Sequence, residues 1–182
     1  MHELMRNPDS FYKILESTVS TLNLDDLMTE VMDELTELFG CDRCTLYVID
    51  KEANEFYTLI AQKSSIGNFR IPIDRDKSFA GYVAVTGKEV MIDDVYDDQQ
   101  VKQIDKDHVF TGNMDRKTSY KTKSLMSVPL KLSGETIGVL QAMNKPGGFL
   151  QKDLSAMKEF SLILALALNN ALVVQKLLAS KA

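Results

Sequence analysis

From about Asp153 onward the chain reads as one long helix, and within it Leu162-Ile163-Leu164-Ala165-Leu166-Ala167-Leu168 is apolar at every position. A helix that is apolar all round has to be covered all round. Leu154, Met157 and Phe160 supply one face, and Ala171, Leu172, Val173, Val174, Leu177 and Leu178 continue the seam. A sheet covers one flank of such a helix, which leaves the other for earlier helices or a second subunit. The expectation is a parallel homodimer held by the terminal helices. No run reaches 18 apolar residues and Asn169-Asn170 interrupts the seam, so no membrane span and no membrane partner are expected.

The hydrophobic period changes along the rest of the chain. Asn7-Pro8-Asp9-Ser10 is a helix start, followed by Phe11, Ile14, Leu15, Val19 and Leu22. Leu24, Leu27, Met28, Val31, Leu35, Leu38 and Phe39 recur at three and four residues, an amphipathic helix that ends at Gly40. Cys44 to Asp50 and Glu55 to Gln62 are then β-rich, joined by a hairpin turn. Phe69 to Ile73 carries Pro72, which places it at a sheet edge. Ser78 caps a short helix that Gly87 stops, and Lys88 to Ile92 is a further strand. Leu125 to Leu132 and Thr136 to Met143 form a second hairpin. Between them, residues 93–123 are charged and weakly patterned, which predicts a solvated lid or binding loop with short helices and low local stability. This order predicts an α+β fold, a central antiparallel sheet of about six strands with helices on its faces and a long C-terminal helix.

Other features narrow the function by exclusion. The 182 residues carry a net charge of −5 with no basic stripe, which argues against a nucleic-acid partner. MHELMRNPDS lacks the apolar core of a signal peptide, and two cysteines make no disulfide framework, so a cytoplasmic setting is expected. Cys41 and Cys44 form a CxxC, but zinc wants four ligands and only His2 and His108 remain, so both read as ordinary thiols and no metal is expected. His108 reads as a solvated loop histidine. No phosphate-binding glycine loop, no dinucleotide fingerprint and no catalytic constellation emerges, so the chain is not expected to be an enzyme.

Four blocks of sequence resemble one family. They are Asp42-Arg43-Cys44-Thr45-Leu46-Tyr47-Val48-Ile49-Asp50; Ser78 to Gly87; Asp115 to Leu125 leading into Val128-Pro129-Leu130; and Ile137 to Lys145. In this order and spacing, the segment 24–174 resembles the GAF family. The resemblance implies a GAF/PAS-like fold, with an N-terminal helix over 1–23 and a C-terminal helical extension over 175–182. A finer resemblance is to GAF domains of cyclic-nucleotide phosphodiesterases and adenylyl cyclases, whose N-K, F, D-E signature is matched by Asn144, Lys145, Phe149 and Asp153. Leu154 replaces the final glutamate. In these four residues the reading is structural: a Lys145–Asp153 ion pair pins the final helix and Phe149 plugs the turn beneath it.

The resemblance also implies a non-catalytic sensing role in signal transduction, with cyclic nucleotide (cAMP or cGMP) as the ligand, no other cofactor, and an attached output domain in a longer chain. Thr45, Phe79, Ala80, Asp115, Thr118, Thr122 and Gln141 match ligand-contacting positions. Three departures accompany the match: Thr111 replaces a common lid aromatic, Gln141 replaces an acid in some relatives, and Ser119 replaces the usual glycine, where a positive φ would carry strain. Two alternatives stand beside this one. A dimerisation module with a vestigial pocket needs the same capped helix, packed through Phe79, Val83 and Val85. A free-methionine-sulfoxide-reductase type of enzyme needs pocket cysteines, which the sequence lacks.

Overall fold

Alternation along the first strand decides which residues meet which layer. In the computed structural model, which describes residues 24–61 and 69–180, this strand is β1 (Arg43–Asp50). It follows helix α1 (Leu24–Phe39) and pairs with β2 (Glu55–Ala61), which pairs with β3 (Phe69–Pro72). Helix α2 (Phe79–Thr86), β4 (Val90–Ile92), α3 (Asp98–Ile104), α4 (Asn113–Thr118), β5 (Leu125–Leu132), β6 (Glu135–Met143) and α5 (Gln151–Ala179) complete the order. The six strands form one sheet in the order β3-β2-β1-β6-β5-β4, antiparallel at every pairing. This is the expected α+β architecture. The helix expected over 1–23 and the strand end at Gln62 lie outside the described residues.

Successive side chains of a strand point to opposite faces. Cys44, Leu46 and Val48 of β1 therefore join Val128, Leu140 and Ala142 on one face, beneath α1 and α5. Val31, Leu35 and Phe39 of α1 and Met157, Phe160, Leu164 and Leu168 of α5 complete that core, with Phe39 meeting Phe160 edge-on at 6.4 Å. Arg43, Thr45 and Tyr47 face the other way. Their cross-strand rows are Arg43–Met143–Leu125, Thr45–Gln141–Ser127 and Tyr47–Val139–Pro129. A second core lies on this face, where Phe79 and Val83 of α2 meet Val139, Leu125, Val95 and Val101.

Helix α2 has both expected ends. Ser78 Oγ accepts the Gly81 N–H at 3.0 Å, and Gly87 closes the helix at φ 64°. Phe79 and Val83 pack inward as expected, but Val85 is exposed, because the last turn of α2 runs past the sheet. At the other edge, Asp153 sits in the first turn of α5, accepts the Leu150 N–H at 2.8 Å, and lies 2.8 Å from Lys145 Nζ. Phe149 is buried below this corner.

Within one chain the run 162–168 of α5 is covered on one flank: Leu164, Ala165, Ala167 and Leu168 are buried, whereas Leu162 is 63% and Leu166 58% exposed. Leu172 packs against the core, so changing it would disturb the fold and not only an interface. The helix is also long and apolar enough to cross a membrane by length and composition alone, which a count of consecutive apolar residues does not register. Its inner face is nonetheless packed on the sheet through Leu154, Met157, Phe160, Leu164 and Leu168.

Residues 93–123 are more firmly held than their composition suggests. Two of their apolar residues act as anchors: Val95 and Val101 are buried in the second core, whereas Tyr96 and Val109 are exposed. The main chain adds ties, from Val95 N to Lys123 O at 2.9 Å and from Val109 N to Asp76 O at 2.8 Å. His108 is not a solvated loop histidine. It is 1% exposed, its Nδ1 lies 3.1 Å from the Arg75 carbonyl, and its ring packs on Phe79 and Tyr82. Burial holds its pKa below the usual imidazole value, so the ring is neutral at pH 7.

Candidate functional site

Between the second sheet face, the start of α2 and the segment around α4 lies a cavity of about 270 Å³. Its floor comes from the rows just described. Thr45 and Gln141 stand side by side on β1 and β6, flanked by Arg43 and Met143 on one side and Tyr47 on the other. Phe79 and Ala80 open α2 at one wall, Phe110 and Thr111 follow, and Asp115, Thr118, Tyr120 and Thr122 form the roof. The structure therefore brings Thr45, Phe79, Ala80, Asp115, Thr118, Thr122 and Gln141 to one cavity, although they come from four separate blocks of sequence.

Their polar atoms are not all turned to the cavity. Asp115 is held by the roof itself: Thr122 N and Thr122 Oγ1 each donate to it at 2.7 Å, and Tyr96 Oη donates at 2.8 Å. Thr118 Oγ1 donates to Met114 O at 2.8 Å. Thr122 is buried, at 4% exposure, so the picture of a solvated lid from which Asp115 and Thr122 reach down is replaced by a closed roof that they knit together. A carboxylate has about four lone-pair sites and three are taken, so Asp115 retains capacity for one more donor. Thr45 and Gln141 stay on the floor, buried at 2% and 4% exposure. Burial pushes the Tyr47 phenol up to about 12, which keeps it a neutral hydrogen-bonding group beside them.

Helix α4 ends at Ser119, whose φ of 53° puts a non-glycine residue in the left-handed region, where serine costs more than glycine. The turn is followed by a clasp. Asn144 Oδ1 accepts Lys123 N at 2.7 Å, and its Nδ2 donates to Lys121 O at 2.8 Å and to Tyr120 Oη at 2.9 Å. Asn144 thus joins the end of β6 to the end of the roof. Arg116, Lys117, Lys121 and Lys123 are exposed, as a solvated charge run would be, although Lys117 also borders the cavity.

Sequence reasoning missed Arg43, Tyr47, Phe110 and Tyr120 in the cavity lining. The signal for the first two was present: once Thr45 is assigned to the cavity, period-two alternation puts residues 43 and 47 on the same face. Phe110 carried no such signal. It stacks on Phe79 at 5.7 Å and supplies the aromatic wall whose absence at Thr111 had counted as a departure.

The profile of the family described as "GAF domain" matches residues 23–168. This chain belongs to the GAF domain family. The matched span contains the whole sheet, the cavity and all but the last turns of α5, so the family fold and the observed fold coincide. Over 167 residues this GAF domain is 30% identical to the probable 3',5'-cyclic phosphodiesterase pde-5 of Caenorhabditis elegans, with 86% of the chain and 22% of that protein covered. It is 28% identical over 174 residues to the dual 3',5'-cyclic-AMP and -GMP phosphodiesterase 11A of Takifugu rubripes, covering 88% of the chain and 18% of that protein. The chain thus spans about a fifth of the length of these curated relatives. Among solved structures, the GAF domain of a phosphoenolpyruvate-protein phosphotransferase from Coxiella burnetii superposes with a TM-score of 0.75 at 15% identity, covering 94% of this chain and 98% of that one. At that identity the likeness speaks for the fold.

Proposed function

We propose that this GAF domain is a regulatory ligand-binding module whose cavity takes a cyclic nucleotide, and that it senses while a separate catalytic domain responds. The observation that carries the reading is the convergence of seven positions, from four blocks of sequence, on one cavity of about 270 Å³, just below the usual ligand-pocket range of about 300–1,000 Å³. Its chemistry suits a nucleotide. The first-turn N–H groups of a helix have no acceptor within it, so the start of α2 at Phe79-Ala80 offers donors to an anion. Gln141 presents an amide whose paired donor and acceptor match a purine edge, and Phe79 and Phe110 give flat apolar surface. The resemblance in sequence to two cyclic-nucleotide phosphodiesterases supports the same ligand class.

Calorimetric titration with cAMP and with cGMP tests this, after any copurified small molecule has been stripped and the domain shown to be folded. Saturable one-site binding of at least one nucleotide is expected. A folded domain that binds neither at about 1 mM, weaker than about 4 kcal/mol of binding free energy, leaves a vestigial pocket as the correct reading.

We further propose that two copies pair in parallel along the outward face of α5. Ile163, Leu166, Asn170, Val173 and Leu177 recur at alternating steps of three and four, the spacing of a two-helix seam. Leu166, Val173 and Leu177 are exposed, and Asn170 is a polar residue of the kind that fixes register in such seams. Sedimentation is expected to show a dimer at micromolar concentration. The double change Leu166→Glu, Val173→Glu should give a monomer with unaltered circular dichroism. A wild type that is monomeric and folded throughout that range would overturn the proposal.

A further inference from the structure

Arg43 is a charged side chain in an unusual position. It is 6% exposed, at the start of β1, and it lines the cavity. Its Nε is buried without a hydrogen-bond partner, and none of the ion pairs among the described residues includes it. Two more accessible arginines are paired: Arg70 lies 2.7 Å from Asp50 and Arg75 2.6 Å from Asp105, although water already reaches both. Guanidinium cannot lose its proton within a protein. A buried guanidinium without a close ion-pair partner is costly, so the fold carries positive charge at the cavity, which Asp115 also lines.

The surroundings hold that charge in place without neutralising it. The guanidinium carbon lies 3.8 Å from the centroid of the Tyr120 ring, a stacked cation–π arrangement that covers one face of the fork and leaves its edge. Tyr120 is itself fixed, since Asn144 Nδ2 donates to its oxygen at 2.9 Å. The carboxylate in the roof, Asp115, is engaged by Thr122 and Tyr96. A planar fork held by one face presents its N–H donors in the geometry that suits two oxygens of one anion.

We propose that Arg43 is the charged anion-recognising side chain of the cavity, pairing its guanidinium with phosphate oxygens of the bound cyclic nucleotide beside the first-turn N–H groups of α2. The proposal rests on the reading of the cavity as a nucleotide site, and it assigns to Arg43 the charge that favours a cyclic nucleotide over its uncharged nucleoside. Tyr120 and Asn144 are then positioning residues, acting through the orientation of the fork.

Two measurements on the full chain test it. The first is thermal melting in increasing inorganic phosphate against chloride of equal ionic strength, for wild type and for Arg43→Met, which keeps the apolar stem and removes the charge. Phosphate is expected to raise the wild-type midpoint progressively and to leave the variant at its chloride value. The second is calorimetry with cAMP and cGMP beside adenosine and guanosine. Arg43→Met should weaken the cyclic nucleotides about tenfold or more while leaving the nucleosides within about twofold. Arg43→Lys, which keeps the charge but loses the fork, should fall between, and it serves as the folded comparison if Arg43→Met does not fold. Equal phosphate response in wild type and variants overturns the proposal, as does an equal loss for nucleotide and nucleoside. A wild type that responds to phosphate through Arg43 but binds neither cyclic nucleotide removes the nucleotide reading and leaves Arg43 as the site of another anion. Unchanged cyclic-nucleotide affinity in Arg43→Met does the reverse.

Discussion

Gly81→Ala is expected to lower the unfolding free energy by about 3 kcal/mol, at the upper end of ordinary overpacking effects. A β-carbon at this position would lie 2.0 Å from the Asp74 carbonyl oxygen, 2.5 Å from its carbon and 2.9 Å from Ser78 Oγ. Two of these atoms are main chain and the third is the cap of α2, so none is a flexible side-chain tip that swings aside. The loop 74–78 would have to move, and with it the start of α2 and one wall of the cavity. The sign makes the test clean, because alanine is otherwise favoured over glycine within a helix by about 1 kcal/mol. Urea denaturation measures the result directly. A variant as stable as wild type, or more so, would mean that α2 does not approach Asp74 as described.

Asn144→Ala is expected to cost about 4 kcal/mol, from two separable sources. Three side-chain hydrogen bonds disappear, each worth about 1 kcal/mol. The backbone φ of 57° is one that asparagine tolerates better than alanine. Asn144→Gly isolates the first source, since glycine adopts that φ without strain, and it should recover part of the loss. Hydrogen exchange supplies a local readout: the amide of Lys123, which donates to Asn144 Oδ1, should exchange faster in both variants, whereas the amides of β5 and β6 should stay protected relative to global unfolding. Equal stability of wild type and Asn144→Ala would show that the clasp contributes nothing.

The parts of this fold that were legible in the sequence are those fixed by local chemistry. Ser78 and Gly87 bracket α2 because a hydroxyl fills an unpaired first-turn N–H and glycine adopts the left-handed conformation that closes the last turn without strain. Pro72 ends the edge strand because it has no N–H to donate to a further neighbour. β-rich runs joined by turn residues identified β1 with β2 and β5 with β6. Illegible were the features that arise from what a residue meets across the fold. His108 looks like any polar loop residue until Phe79 and Tyr82 close over it. Asp115 and Thr122 were seen as two ligand contacts, and nothing in a one-dimensional pattern says that they bond to each other. The run 162–168 is apolar at every position, and only the fold shows which of its residues, Leu164, Ala165, Ala167 and Leu168, face the core. Arg43 is the instructive omission. It read as part of a motif, and only the alternation of β1 combined with its burial reveals it as a charge facing the cavity.

The same alternation has a mechanical consequence. Arg43, Thr45 and Tyr47 border the cavity, while Cys44, Leu46 and Val48 press on the helical layer. Each cavity residue of β1 is the covalent neighbour of one packed in the helix-side core. Peptide planes do not stretch, so the two faces of the strand cannot be displaced independently. The floor of the cavity and the core beneath the helices are therefore a single peptide unit apart.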